Sequence, residues 1–165
     1  MAEFQSVNIT KINTTPITVV DGRLMGGVPK HTQDTWAYTN NSNDDYVVAL
    51  KVPVDGIPFS VKYASDDLTS GTTEIGLYSD DGDGTYTAVD IDCFASAVAQ
   101  GSGAVALTEM LYEAAATNID QANQTFWEWA GLSTRPSYEH LYIAATCSVG
   151  TGAAGTGFMS CDYTV

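Results

Sequence analysis

Residues 140–165 read HLYIAATCSVGTGAAGTGFMSCDYTV, and this stretch contains two alternating segments on either side of a glycine-rich one. In each segment an apolar residue occupies every second position, at Leu141, Ile143, Ala145 and Cys147 in the first and at Met159, Cys161, Tyr163 and Val165 in the second. A period of two places alternate side chains on opposite faces of a strand. Both segments therefore predict half-buried antiparallel β-strands.

The glycines between these two strands, from Gly150 to Gly155, form a literal G-x-G-x-x-G sequence. A dinucleotide site needs such glycines between a strand and a helix whose N-terminal amides meet the pyrophosphate, with an acidic residue about 20 positions further on. Only ten residues follow Gly155, and they alternate like a strand. We therefore predict a loop that joins the last two strands, and no cofactor.

The same alternation recurs upstream. In PFSVKYA and TTEIGLYS the positions that share one face are Phe59, Val61 and Tyr63, and Thr73, Ile75 and Leu77. Further strand candidates are Val7–Ile12, Pro16–Val20 and Tyr46–Val54. Segments rich in Asp, Asn, Ser and Gly separate the candidates, as expected for turns between strands.

Two segments break this pattern. Thr108–Glu113 is compatible with one or two helical turns, and Phe126–Gly131 is either a short helix ended by Gly131 or a strand. Neither is long enough to cross over between parallel strands, so the chain is predicted to be all-β, an antiparallel sandwich or barrel of about eight strands with short helical insertions. Residues 1–32 lack a core pattern and are predicted to form an extended N-terminal arm, which leaves 33–165 as the β domain.

The charge of the chain is uneven. The net charge is −14 over 165 residues. Residues 1–62 hold six acidic and five basic side chains, whereas residues 63–165 hold fourteen acidic side chains and Arg135. A body this acidic is repelled by phosphate, which excludes nucleic acid as a partner, and the near-neutral first third is the part suited to lie against another acidic surface.

The sequence also bears on where the protein is made and works. It contains no run of about 18 apolar residues, so no membrane span is predicted. The N-terminal residues MAEFQSVNIT have neither the basic region nor the apolar run of a signal peptide, and synthesis in the cytoplasm is expected.

The segment YSDDGDGTYTAVD is the strongest metal-site candidate. Read as an EF-hand-like loop, it places carboxylates at Asp81, Asp83 and Asp90 with Gly84 at the turn. Both flanks read as strands, however, which favours a solvated hairpin turn. A surface calcium site is the alternative, because clustered carboxylates repel one another unless a cation screens them.

No catalytic constellation is apparent. His31 and His140 stand outside any H-E-x-x-H setting, and neither a G-x-S-x-G elbow nor a phosphate-binding G-K-[ST] occurs. The three cysteines, Cys93, Cys147 and Cys161, lack a C-x-x-C spacing and are interpreted as small core residues in a reducing compartment. The protein is therefore predicted not to be an enzyme and to hold no metal or cofactor.

Residues 47–99 and 124–165 resemble a family of small virion proteins of tailed bacteriophages. These are head decoration, or cement, proteins of the β-sandwich type that are encoded near the major capsid protein. The resemblance follows the order of an SDDL turn, an EIGLY strand, an Asp-rich turn, DIDCFASA, a W-E-x-x-G-L element and a closing Gly/Ala hairpin.

This resemblance implies a jelly-roll-like sandwich that binds the major capsid protein on the outside of the virion and stabilises the assembled shell. It also implies a homo-oligomer, with a trimer as the expected state. Together with the charge count, it suggests that an arm carrying Lys11, Arg23 and Lys30 contacts the acidic neighbour while the acidic body faces outward.

Two alternatives remain at this point. A glycan- or host-surface-binding module would present exposed aromatic side chains beside polar loops, whereas a tail or head-completion component would differ mainly in copy number. For the tryptophans Trp36, Trp127 and Trp129 a role in the core is favoured over an exposed surface on which a sugar stacks, because tryptophan has a large apolar surface to bury.

Overall fold

The computed structural model describes residues 28–39, 41–80, 82, 85–101, 103–111 and 119–165. Within these ranges it contains eight strands, one 3₁₀ turn at Ile119–Asn123 and one short helix, α1, at Phe126–Trp129. The strands are β1 (Pro29–Thr39), β2 (Tyr46–Pro53), β3 (Ile57–Ser65), β4 (Thr72–Asp80), β5 (Tyr86–Ala99), β6 (Val105–Glu109), β7 (His140–Val149) and β8 (Ala154–Thr164).

The strands form two antiparallel sheets of four. Sheet I has the order β1-β8-β3-β6 and sheet II the order β2-β7-β4-β5. The first four strands pair with the last four in reverse, as β4 with β5, β3 with β6, β2 with β7 and β1 with β8. A long hairpin wound on itself in this way is a jelly roll, and the predicted all-β sandwich is confirmed.

The core lies between the sheets, where the sequence alternation placed it. Leu141, Ile143 and Met159 are fully buried, and so are the neighbouring positions of the same faces up to Cys147 and Cys161. Beyond β8 the pattern fails, because Val165 follows the last paired residue and is 53% exposed.

The helix α1 contributes two side chains, Phe126 and Trp129, to the core. Its Phe126 ring lies edge-on to Phe94, with the ring centroids 6.4 Å apart, and Trp129 packs on Phe94 at 5.6 Å. The Glu128 carboxylate accepts the Thr125 backbone N–H at 2.7 Å at the start of the helix. Of the two interpretations of Phe126–Gly131 the helix is confirmed, and Gly131, with φ +70°, terminates it.

Two details of the sequence analysis differ from the structure. Phe59 does not share the buried face of Val61 and Tyr63 but is 49% exposed, since a bulge between Pro58 and Ser60 shifts the alternation by one residue. Thr108 and Glu109, which the sequence left compatible with a helical turn, belong to β6.

Pairing with β3 overrides the helical propensity of the β6 segment. Thr108 lies opposite Tyr63 and Glu109 opposite Lys62 in the ladder. The Glu109 carboxylate accepts the backbone N–H of Val61 and the hydroxyl of Ser60, both at 2.7 Å. These bonds hold the edge strand on sheet I, because charge-assisted hydrogen bonds are stronger than neutral ones.

The glycine-rich segment is confirmed as the connection between β7 and β8. It is not a hairpin, however, because β7 belongs to sheet II and β8 to sheet I. The connection crosses between the sheets and is held by two backbone bonds, from the Thr151 N–H to the Asn41 carbonyl at 2.9 Å and from the Gly152 N–H to the Leu68 carbonyl at 3.0 Å.

The N-terminal boundary differs slightly from the predicted one. β1 begins at Pro29 and pairs with β8 from its first residue, so residues 29–32 belong to sheet I. The remainder of the predicted arm, with the strand candidates Val7–Ile12 and Pro16–Val20, lies outside the described residues.

Candidate interaction surfaces

The edge strand β1 is the first candidate surface. It pairs with β8 residue for residue, from Pro29 opposite Thr164 to Thr39 opposite Ala154, without a bulge. As the edge of sheet I it has no neighbouring strand on its other side among the described residues. An edge this long and regular is a template for pairing with another chain.

A cross-strand polar pair lies on the outer face of this edge. His31 and Asp162 are directly opposite each other, and their Nδ1 and Oδ1 atoms are 2.6 Å apart. The hydrogen bond that the Asp162 carboxylate accepts, and after it the one accepted by the Gln33 side-chain oxygen, raises the pKa of His31 above its ordinary value of 6.5. The pair is exposed, so it responds to pH and to any partner that covers it.

Three exposed apolar side chains lie at the same end of sheet I. Val28 is 63% exposed, Phe59 49% and Val165 53%. The register places them toward the same end, since Pro29 and Ile57 both pair with Thr164. We call Val28, Phe59 and Val165 the apolar end, and it adjoins the point where residues 1–27 join β1.

Of the three predicted partner-binding residues, one is described. Lys30 lies in β1 opposite Tyr163 and is exposed, next to the apolar end. Lys11 and Arg23 lie outside the described residues, so their role stays a prediction. The sequence identified Lys30 through charge alone, and its position on an edge strand could not be read from it.

The two sheets differ in charge. The strands of sheet I carry two lysines and three carboxylates, whereas those of sheet II carry one lysine and four carboxylates. With histidine neutral these counts give −1 for sheet I and −3 for sheet II. Sheet I is therefore the face that is repelled less by an acidic neighbour.

A large bulge in β5 concentrates carboxylates on sheet II. Opposite Ile75 and Leu77, which are two apart in β4, the partners in β5 are Ala95 and Asp90, which are five apart. The extra residues of β5 cross over Gly76, where an added methyl group would lie 2.6 Å from the Ile91 carbonyl oxygen.

Two carboxyl groups beside this bulge are partly desolvated. Burial, and after it the charge of Asp92, raises the pKa of Glu74, and burial is also the main cause of the raised pKa of Asp90. Of the calcium candidates only Asp90 is described, because Asp81 and Asp83 lie outside the described residues. The segment that contains them joins the antiparallel pair β4 and β5, as the hairpin interpretation required.

The other surface feature of sheet II is a cluster of tyrosines on its outer face. The Tyr46 and Tyr78 rings stack with centroids 4.9 Å apart, and the Tyr86 and Tyr142 rings meet at 70°, also at 4.9 Å. Beside Tyr142 lies a shallow depression of about 230 Å³, lined by Lys51, Asp80, Gly82, Tyr138, Glu139, His140 and Tyr142. We call it the tyrosine depression.

The sequence analysis missed this cluster because its tyrosines come from four different strands. The tryptophans behave as predicted: Trp129 is 5% exposed in the core, and Trp36 and Trp127 are half-buried against it. Only the strand order brings the tyrosines together, and a single sequence does not reveal that order.

Cys93, Cys147 and Cys161 are free thiols; Cys147 and Cys161 are buried, and burial raises the pKa of all three. Across the described part of the chain, no three His, Cys, Asp or Glu side chains are grouped to hold a metal ion. No helix among the described residues is long and apolar enough to span a bilayer.

Comparison with known proteins identifies two solved structures that share the fold of this chain. No protein-family model matches the chain, and no curated protein is significantly similar to it. Two solved structures share the architecture. A chain of the cyanophage Pam1 capsid asymmetric unit is 18% identical with a TM-score of 0.53, covering 84% of this chain and 86% of that one. A chain of the capsid of Ralstonia phage GP4 is 17% identical with a TM-score of 0.54, covering 82% and 84%.

These similarities extend over more than four fifths of the chain. The jelly-roll sandwich of this chain is thus a fold that also occurs in phage capsid structures. At this level of identity the likeness concerns the fold, and what the chain does has to be argued from its surfaces.

Proposed function

We propose that this protein is a non-enzymatic structural component of a phage virion that binds the outer surface of the capsid and stabilises the assembled shell. The observation that carries the proposal is the fold shared, over more than four fifths of both chains, with chains of two phage capsid structures. The proposed partner is the major capsid protein. The proposed assembly is a homo-oligomer, a trimer, on the virion after synthesis in the host cytoplasm.

Stabilisation of a shell in this way is a mass-action effect. A protein that binds the assembled lattice and not the free subunits shifts the equilibrium toward the intact particle. Oligomers with several weak contacts gain from effective concentration, because each further contact forms within an already bound complex. High affinity at a single contact is therefore unnecessary.

The capsid-facing side is proposed to be the β1 edge of sheet I with the apolar end. The open strand edge offers backbone groups, and the apolar end offers area to bury against a partner. Lys30 adds positive charge on the less acidic sheet, and Lys11 and Arg23 are proposed to act with it. Sheet II would then face outward.

The experiment that tests the function is quantitative mass spectrometry of particles produced from the genome that encodes this chain. A copy ratio to the major capsid protein near one, or near one third, is expected for a protein that covers the lattice. A few copies per particle would favour the tail or head-completion alternative. Absence from particles would refute the virion proposal.

Charge reversal tests the proposed orientation. The triple variant Lys11→Glu, Arg23→Glu and Lys30→Glu should sediment less with capsids at low salt, because exposed charges act over about 10 Å at 0.1 M salt. Lys51→Glu, on the outer face of sheet II, is the control and should sediment like the unchanged chain. Equal loss in both would contradict the orientation.

A further inference from the structure

Tyr142 lines the tyrosine depression, and two contacts fix the position of its ring. Tyr86 contacts the Tyr142 ring at an angle of 70°. The Tyr142 hydroxyl donates to Asp80 Oδ2 at 3.3 Å. Ring and carboxylate are thereby fixed beside each other on neighbouring strands, β7 and β4, before any ligand arrives.

Asp80 is held from a second side as well. The backbone N–H of Gly82 donates to its Oδ1 atom at 2.7 Å. Each carboxylate oxygen thus has one internal donor and keeps acceptor capacity for hydroxyl groups from outside. The exposed residues Glu139 and His140 also line the depression and add further polar groups.

We propose that the tyrosine depression is a binding site for a neutral saccharide, whose ring lies on Tyr142 and whose hydroxyl groups donate to Asp80. A ligand site typically combines an aromatic surface with a few converging polar groups that fix orientation, and this depression contains both. The face of a pyranose ring is apolar enough to pack on an aromatic ring, and its hydroxyl groups form strong hydrogen bonds to a charged acceptor such as the Asp80 carboxylate.

The charges of the site select for a neutral ligand. Sheet II carries four carboxylates on its strands, so an anionic sugar would be repelled. A cationic ligand would compete with Lys51, whose Nζ already lies 5.8 Å from the Tyr142 ring centroid. Because Lys51 is exposed, its ammonium can move aside and donate to a sugar oxygen.

This inference does not depend on the proposed virion function. The depression lies on sheet II, whereas the proposed capsid-facing side is the β1 edge of sheet I. A second copy of the chain could also cover the tyrosines, and that occupant predicts a change of molecular mass with concentration, which a saccharide site does not. Saccharide binding is measured on the free chain, so its failure leaves the copy number in particles unaffected.

The test is a titration of the ¹⁵N-labelled full chain, followed by amide chemical shifts. The probes are methyl α-D-mannopyranoside, methyl β-D-galactopyranoside and N-acetylglucosamine, with N-acetylneuraminic acid and choline as anionic and cationic comparisons. For a monosaccharide a dissociation constant of about 1–10 mM is expected. The shifts should be confined to amides around Asp80, Gly82 and residues 138–142.

Three variants decide which atoms carry the binding. Tyr142→Thr, which keeps a residue suited to a strand, should weaken binding at least about tenfold, and Asp80→Asn several-fold. Phe59→Thr, which removes an exposed aromatic ring from sheet I, should leave it unchanged. The amide spectrum of each variant shows whether it is folded.

Four results would overturn the inference. They are the absence of shifts with all three neutral probes, undiminished binding by folded Tyr142→Thr, tighter binding of choline or N-acetylneuraminic acid, and a dimer that dissociates when Tyr142 is replaced.

Discussion

Replacing Gly76 by alanine tests the β5 bulge, the feature that departs most from a regular jelly roll. A methyl group at Gly76 would overlap the carbonyl oxygen of Asp90 and lie 2.6 Å from that of Ile91. Both obstacles are backbone atoms of β5, so no side-chain rotation relieves the clash. Ala144, which pairs with Gly76 on the same outer face, is fully buried as well.

The expected loss of stability follows from that geometry. Overpacking in well-packed regions costs about 1–3 kcal/mol, and more where backbone must move, so about 3 kcal/mol is expected here. Alanine also restricts the unfolded chain, which offsets about 0.4–1 kcal/mol of the loss. For a chain of this length about 3 kcal/mol corresponds to a Tm lower by about 6–12 °C.

Gly152→Ala is the matched control. Its methyl group would lie 2.6 Å from the hydroxyl oxygens of Thr69 and Ser70, on exposed side chains that can rotate, and at an ordinary contact distance of 3.5 Å from the Leu68 carbonyl oxygen. It shares the unfolded-state effect, so the difference between the two variants isolates the clash at Gly76. The assay is urea unfolding at constant pH, and equal midpoints for the two variants would refute the close approach of β5.

Two further predictions concern sheet I and the core. The pKa of His31, measured by NMR, should lie above 6.5 and fall toward 6.5 in Asp162→Asn. The contribution of the pair to the free energy of unfolding should be complete below pH 6.5 and disappear as the pH rises through the raised pKa. An unchanged His31 pKa in the variant would contradict this prediction. Phe126→Ala should lower the free energy of unfolding in urea by about 3–5 kcal/mol, because Phe126 is fully buried. Phe59→Ala should lower it by less than about 1 kcal/mol, because Phe59 is half exposed. Similar losses in the two variants would mean that Phe59 is not turned outward by a bulge.

The strands that the sequence predicted best are those with a regular alternation. In β7 the positions Leu141, Ile143, Ala145 and Cys147 are all buried, because the strand lies in the middle of sheet II with one face on the core. The same holds for Met159 and Cys161 in β8. A central strand must keep its register, since a slip by one residue would turn every apolar side chain to the solvent.

The predictions failed where the chain gains or loses a residue against its partner. Phe59 points outward because of one extra residue in β3, and β5 accommodates several opposite Gly76. A bulge is a property of two paired strands, so neither partner alone records it. The tyrosine depression was missed for the same kind of reason, because Lys51, Asp80 and Tyr142 become neighbours only through the order β2-β7-β4.

The wound topology also changes what the uneven charge means. The first four strands of this jelly roll alternate between the sheets, so the near-neutral residues 1–62 contribute β1 and part of β3 to sheet I but β2 to sheet II. A contrast of −1 against −13 along the sequence thus becomes −1 against −3 between the strands of the two sheets. Sheet I remains the less negative of the two sheets because Lys30 and Lys62 both lie in it.

It follows that reversing a single charge can alter the surface of one sheet without altering that of the other. Lys51 and Lys62 are eleven positions apart, yet they lie in different sheets, in β2 and β3. Reversing Lys51 therefore alters the surroundings of Tyr142 and leaves the proposed capsid-facing edge intact, whereas reversing Lys30 does the opposite. A protein that meets a shell with one sheet and a saccharide with the other must show this independence, because the core between the sheets keeps the two sets of charges apart.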